Sequence, residues 1–335
     1  MDLVRRISTM AEGAAAPVAA PVPLSWRDLM STAKAPGRKP SYYINRYLPW
    51  ILLAPVLVHL IIFRYIPTFS AFYYSLTNWN GIKAAKFVGL RNYTDLFSDY
   101  VFLGGLRNMV IYTAIRVVLL IGFAFLAAEL VFSFRSASVR TFWKIVFVIP
   151  LVVPISVTYL LWGFIFEPQS GLLNTLLSSV GLGAYASQWL GSSSTALYSI
   201  AFVQFPFVAG LSFLVFISAL EGIPGDVLDA CKVEGCGRLR RIWAVDVPML
   251  RGSLIFIAVL IVLGGIQTIE PQLILTRGGP GTATETPGFY VYRAAFQYSD
   301  FGLAAAAGVV MVFVGLVFSF YTVRARYKGA YDVDI

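Results

Sequence analysis

The chain has 335 residues, 58% of them hydrophobic and only 13% charged, where a soluble domain usually carries about 25% charged residues. Too little polar surface remains to cover a soluble molecule, so the apolar excess must face lipid. His59 is the only histidine and Cys231 and Cys236 the only cysteines, which excludes His–His metal sites, four-cysteine zinc sites and a disulfide framework. No GxxxxGK[ST] phosphate loop occurs, so the chain carries no P-loop of its own for ATP.

Six windows are apolar enough to span a bilayer as helices, roughly Leu48–Phe69, Asn108–Val131, Phe142–Phe166, Thr195–Leu220, Ser253–Leu275 and Leu303–Val323. None shows the alternation of a strand. Pro55, Pro150, Pro154 and Pro206 fall inside them, where neighbouring helices can satisfy the freed backbone groups. The expected fold is an all-α integral membrane protein with six core transmembrane helices. Lys and Arg are divided 18 to 6 between the two sides those windows define. That asymmetry predicts that both termini are cytoplasmic, and it accounts for the net charge of +9 without nucleic acid.

Residues 1–45 read as a flexible basic tail, 46–325 as the transmembrane domain and 326–335 as a short cytoplasmic tail. The Ala/Pro-rich stretch 11–23 lacks the Leu-rich core of a signal peptide. The outer loop 167–194 contains no Lys or Arg, and its Gly171–Leu177 segment suits a short helix along the surface. No internal repeat is evident, which disfavours a fold of inverted halves.

The loop 221–250 is the most informative segment. Pro224 suits a helix start, and Asp226 and Asp229 favour that end electrostatically. Gly235 and Gly237 allow a sharp stop before a second short helix at Arg238–Trp243. Such a knob suits the gripping of a soluble partner; a solvated amphipathic connector would have the same composition. The segment resembles the EAA loop of binding-protein-dependent type I ABC importer permeases, whose pattern is E-A-A, three residues, G, nine residues, I-x-L-P. Asp229, Ala230 and Cys231 stand at the triplet, Gly235 at the glycine, and Val245 and Pro248 at the closing motif. Asp for Glu, Cys for Ala, and Val for both Ile and Leu are the departures. Phe87–Tyr93 (FVGLRNY), Leu275–Pro280 (LTRGGP), Ala283–Thr286 and Tyr290–Phe296 are similar to segments of the sugar-transporting maltose and glycerol-phosphate branch.

That resemblance implies a permease subunit importing a carbohydrate across the bacterial cytoplasmic membrane. It binds no cofactor itself, and ATP with Mg acts on a separate ATPase dimer docked at the EAA-type loop. A second permease and an extracytoplasmic binding protein complete the assembly, in contact with membrane lipid. An ion-gradient-driven secondary transporter or channel is the alternative; it requires a carboxylate relay, for which Glu270 is the best-placed residue. Polar residues inside spans mark candidate solute contacts: Asn108, Arg116, Gln204, Gln267, Glu270 and Gln272. Gln267 and Glu270 are expected on one helical face, with Pro271 breaking the helix after them. Arg116 and Glu270 are equally placed to pair with each other. Cys231 and Cys236 are expected to be packing residues.

Overall fold

Residues 41–205 and 210–331 are described by the computed structural model, with side chains for 47–205, 210–322 and 324. The tail 1–40 and Pro206 lie outside them. The described residues form helices joined by loops, with no strand and one isolated bridge, Thr77 to Phe87. Contacts divide the chain at Tyr65. The first unit holds α1 (Ser41–Leu60), which contains Pro49 and Pro55, and a π-helical turn, Ile61–Tyr65.

The second unit runs α2 (Ile66–Tyr74), α3 (Arg91–Ser98), α4 (Tyr100–Phe132), α5 (Ala137–Val148), α6 (Ile155–Ile165), α7 (Leu172–Ser179) and α8 (Ala196–Phe202). It continues with α9 (Gly210–Glu221), α10 (Gly225–Val233), α11 (Arg238–Arg241), α12 (Arg251–Ile266), α13 (Pro287–Phe296) and α14 (Phe301–Tyr331). Among the described residues, three helical stretches are long and apolar enough to cross a membrane: Tyr47–Tyr74, Tyr100–Phe132 and Phe301–Thr322.

The other windows are broken. α5 and α6 are bent by 93° around Pro154, which lacks an amide hydrogen and bars its predecessor from helical geometry. The window 195–220 divides into α8 and α9, and Gln204 between them adopts φ +78°. α12 stops at Ile266, before a second helical turn at Gln272–Thr276. The short outer helix expected at Gly171–Leu177 is α7, whose buried Asn174 accepts from Trp189 Nε1 at 2.7 Å and donates to the Pro168 carbonyl at 2.9 Å.

α4 is the axis of the core. Ala124, Ala127, Ala128 and Val131 on it pack against Phe213, Phe216, Ile217 and Leu220 of α9 and Ile257 of α12. Small side chains there let helix backbones approach closely, the main source of helix association where no water is displaced. Further along, Gly265 of α12 packs so tightly on Thr113 of α4 that a Cβ would collide with the threonine side chain.

Candidate functional site

Three places carry the residues singled out in the sequence. At the knob, α10 ends in a paired closure: Cys236 N–H donates to the Cys231 carbonyl at 2.9 Å and Gly235 N–H to that of Lys232 at 3.0 Å, with Gly235 at φ +70°. This is the Schellman stop, and its left-handed position suits glycine. Asp229 and Ala230 are exposed on α10, while Cys231 is buried beneath them and Cys236 partly so. Val245 is partly buried in the π-helical turn Ile242–Asp246, and Pro248 is exposed just beyond it. Val233, Leu239 and Trp243 are 90%, 74% and 72% exposed, an apolar rim that suits a protein partner.

Sequence reasoning missed what holds the knob. Asp246, an unspecified position of the EAA pattern, is fully buried, and its Oδ2 accepts from Arg241 Nε at 2.8 Å. The other arm of Arg241 reaches back 112 positions: Nη2 donates to Glu129 Oε2 on α4 at 3.0 Å. Arg238 Nη2 adds a bond to the Glu129 backbone carbonyl at 3.3 Å, and the Arg241 guanidinium lies over the Phe132 ring at 5.3 Å. Nearby, Lys144 Nζ donates to Glu221 Oε1 at 2.6 Å, fastening α5 to the end of α9. Only the low charge content and the inward end of the second window signalled Glu129.

The second place is a cavity of about 370 Å³ between α4, α6, α9 and α12, lined by Tyr112, Arg116, Tyr159, Gln204, Thr268 and Glu270 among others. Arg116 Nη2 donates to Gln204 Oε1 at 2.9 Å, and the guanidinium lies 5.5 Å from the Tyr112 ring centroid. Arg116 Nη1 has no hydrogen-bond partner among the described residues. The expected pairing of Arg116 with Glu270 is therefore replaced by one with Gln204, whose left-handed backbone turns its amide towards the guanidinium. Gln267 and Glu270 do not share a helical face: α12 has ended at Ile266, and Glu270 and Pro271 open the next helical turn, so Pro271 does not break the previous one.

Three of the six candidate path residues thus line the cavity. Gln267 is exposed beside it. Gln272 is fully buried, and neither amide atom has a side-chain partner among the described residues. Asn108 serves the third place, the loop 276–286: its Nδ2 donates to the carbonyls of Glu285 at 3.0 Å and Thr282 at 3.3 Å.

That loop is built from the LTRGGP and Ala283–Thr286 segments. Arg277, Gly278 and Gly281 have φ of +51°, +84° and +59°, and the Thr276 and Thr284 hydroxyls are hydrogen-bonded at 2.7 Å. Glu285 is fully buried and ion-paired with Arg293 Nη2 at 3.3 Å. Burial lifts the Glu285 carboxyl to about 7, against the downward pull of Arg293, with Asp99 adding to the rise. Tyr290 donates its hydroxyl to Asp99 Oδ2 at 2.8 Å. The FVGLRNY segment is likewise a fastening: Asn92 Nδ2 donates to the carbonyls of Ser75 and Thr77, both at 2.8 Å.

The described residues thus form helices with no strand, enclose a polar cavity and carry an exposed two-helix knob. No protein-family model matches the chain. It is 34% identical over 278 residues to the probable ABC transporter permease protein YurN of Bacillus subtilis, covering 82% of this chain and 94% of that protein. It is 31% identical to the diacetylchitobiose uptake permease NgcF of Streptomyces coelicolor, over 77% of this chain and 76% of the relative. For the sn-glycerol-3-phosphate permease UgpA of Salmonella typhimurium the identity is 30%, over 84% and 94%. The fold matches the crystal structure of a bacterial ABC transporter involved in importing the acidic polysaccharide alginate, with TM-score 0.73 at 19% identity over 86% of this chain and 98% of that one. The alginate transporter in complex with its pentasaccharide-bound periplasmic protein gives TM-score 0.72 at 19% identity, covering 84% and 94%.

The chain belongs to the permease subunits of ABC transporters. It is a membrane protein and not an enzyme; in this family the ATPase is a separate subunit.

Proposed function

We propose that this chain is one of two permease subunits of an ATP-driven carbohydrate importer in the bacterial cytoplasmic membrane, with six spans within 46–325 and both termini cytoplasmic. A soluble ATPase dimer, holding ATP and Mg, docks on the loop 221–250, where Asp229, Ala230, Cys231, Gly235, Val245 and Pro248 form or support the contact. An extracytoplasmic binding protein delivers the solute to the outer loops. Arg116, Gln204 and Glu270 face it in the cavity, offering donors and acceptors beside the Tyr112 and Tyr159 rings, the mixture that sugar hydroxyls and ring faces require. The single observation that carries the reading is the exposed, glycine-closed knob with its apolar rim.

The test is affinity purification from the native membrane in mild detergent, with copurifying proteins identified. A second permease and a P-loop ATPase are expected, and the ATPase is expected to be lost from a Gly235→Trp variant. Recovery of the chain alone, still transporting in liposomes without ATP, would overturn the reading in favour of an ion gradient acting through Glu270.

A further inference from the structure

One helix, α4, makes a long-range junction at each of the three places. Asn108 holds the loop 276–286 through Glu285 and Thr282, Arg116 bonds Gln204 in the cavity, and Glu129 receives Arg241 from the knob. At the helical rise these points lie about 12 Å and then about 20 Å apart along one axis. No proline interrupts α4, and its one adjacent glycine pair, Gly104–Gly105, precedes Asn108, outside the stretch that joins the three junctions.

We infer that the Glu129–Arg241–Asp246 cluster is the positioning device that makes α4 move with the knob, so that displacement at the cytoplasmic face reaches the cavity through Arg116. The chemistry fits a linkage better than a prop. A buried ion pair adds little net stability over apolar packing, whereas breaking it strands a charge, so its contribution is to fix one arrangement. Arginine is suited to this because its planar fork engages two acceptors in a set geometry. Here the fork spans two carboxylates whose side chains are 3% and 0% exposed, one on α4 and one at the root of the knob. Arg238 reinforces the junction by donating to a carbonyl in the last turn of α4, where cations are favoured. Lysine, a single ammonium, cannot reproduce the fork.

The inference rests on the reading that the loop 221–250 docks the ATPase. The experiment uses the whole transporter purified with its partner subunits into lipid nanodiscs. Spin labels on non-canonical residues at Val233, on the knob, and Leu103, at the outer end of α4, report the distance between them; the two sites are 90% and 44% exposed. In the parent that distance is expected to stay unchanged between nucleotide-free and ATP-trapped states. In Arg241→Lys it is expected to shift or broaden with ATP. Cavity opening is read separately by mass spectrometry of the N-ethylmaleimide adduct on the Gly264→Cys peptide, distinct from the native thiols Cys231 and Cys236; Gly264 is a lining position with open space around it. ATP trapping is expected to change that labelling rate about 5- to 150-fold, the usual span of coupling between sites, and Arg241→Lys or Glu129→Gln to abolish the change while ATP is still hydrolysed. An ATP-dependent change of the parent distance, or an undiminished labelling response in the variants, overturns the inference. The parent distance decides the matter even where a variant fails to assemble. Absence of an ATPase from the parent preparation, by contrast, strikes at the docking role of the loop.

Discussion

Arg116 and Gln204, 88 positions apart, are joined by a bond of 2.9 Å, and Gln204 holds a left-handed backbone to make it. The pairing leaves Glu270 lining the cavity apart from Arg116, whose other guanidinium nitrogen, Nη1, is buried without a partner among the described residues.

Arg116→Ala removes the donor and frees Gln204. Hydrogen bonds to charged groups contribute roughly 1.5–3 kcal/mol, so solute uptake is expected to fall tenfold or more, by about 1.4 kcal/mol per factor of ten. Copurification of partner subunits is expected to be unchanged. Uptake of a radiolabelled sugar panel into proteoliposomes loaded with ATP measures the effect, and wild-type uptake by the variant would remove Arg116 from the solute path.

Gly264 and Gly265 are neighbours with opposite surroundings. A Cβ at Gly264 meets open space, whereas one at Gly265 collides with Thr113 of α4. Overpacking of this kind costs about 1–3 kcal/mol. Gly265→Ala is therefore expected to lower the thermal midpoint in detergent, Gly264→Ala to leave it nearly unchanged, and Thr113→Ala to restore much of the loss. Equal midpoints for the two glycine variants would show that α4 and α12 are not packed this closely.

Gly235 stands in open space, so its requirement is conformational and not steric. A left-handed position costs a β-carbon residue about 1–2 kcal/mol, and asparagine tolerates it better than most. Retention of the ATPase during purification is expected to fall in the order Gly235, Gly235→Asn, Gly235→Ala, Gly235→Val. A variant series in which valine matches glycine would mean that the Schellman closure is dispensable.

Glu285 binds its proton more tightly folded than unfolded, because burial raises it from 4.5 to about 7. The stability it contributes is present in full below its unfolded value and is lost as pH rises through about 7. The thermal midpoint of the parent is thus expected to decline across that window. Glu285→Gln, uncharged throughout, is expected to flatten that part of the profile. Parallel profiles for parent and variant would assign the dependence to other groups.

Much of this was legible in the sequence because it is local. The glycine stop at Gly235 follows from a pattern within one loop, and the long apolar windows announce themselves. The breaks at Pro154 and after Ile266 were less visible: apolar character continues across them, and hydropathy does not register the direction of a backbone. Asn108 drew attention as an intramembrane amide, yet its partners are carbonyls 174 and 177 positions away. Glu129 and Asp246 illustrate the same limit. Glu129 stands out as a charge in an apolar run and Asp246 does not, and only the fold brings Arg241 between them.

α4 has 33 residues, so it is roughly 50 Å long, against a hydrocarbon core of about 30 Å. A helix with that excess must tilt, or extend well into both headgroup regions. The lipid composition of the host membrane therefore acts on α4 directly: a thicker bilayer favours a more upright helix and a thinner one a more inclined helix. Reconstitution in lipids of graded chain length becomes a way to bias the cavity mechanically, without touching ATP or solute.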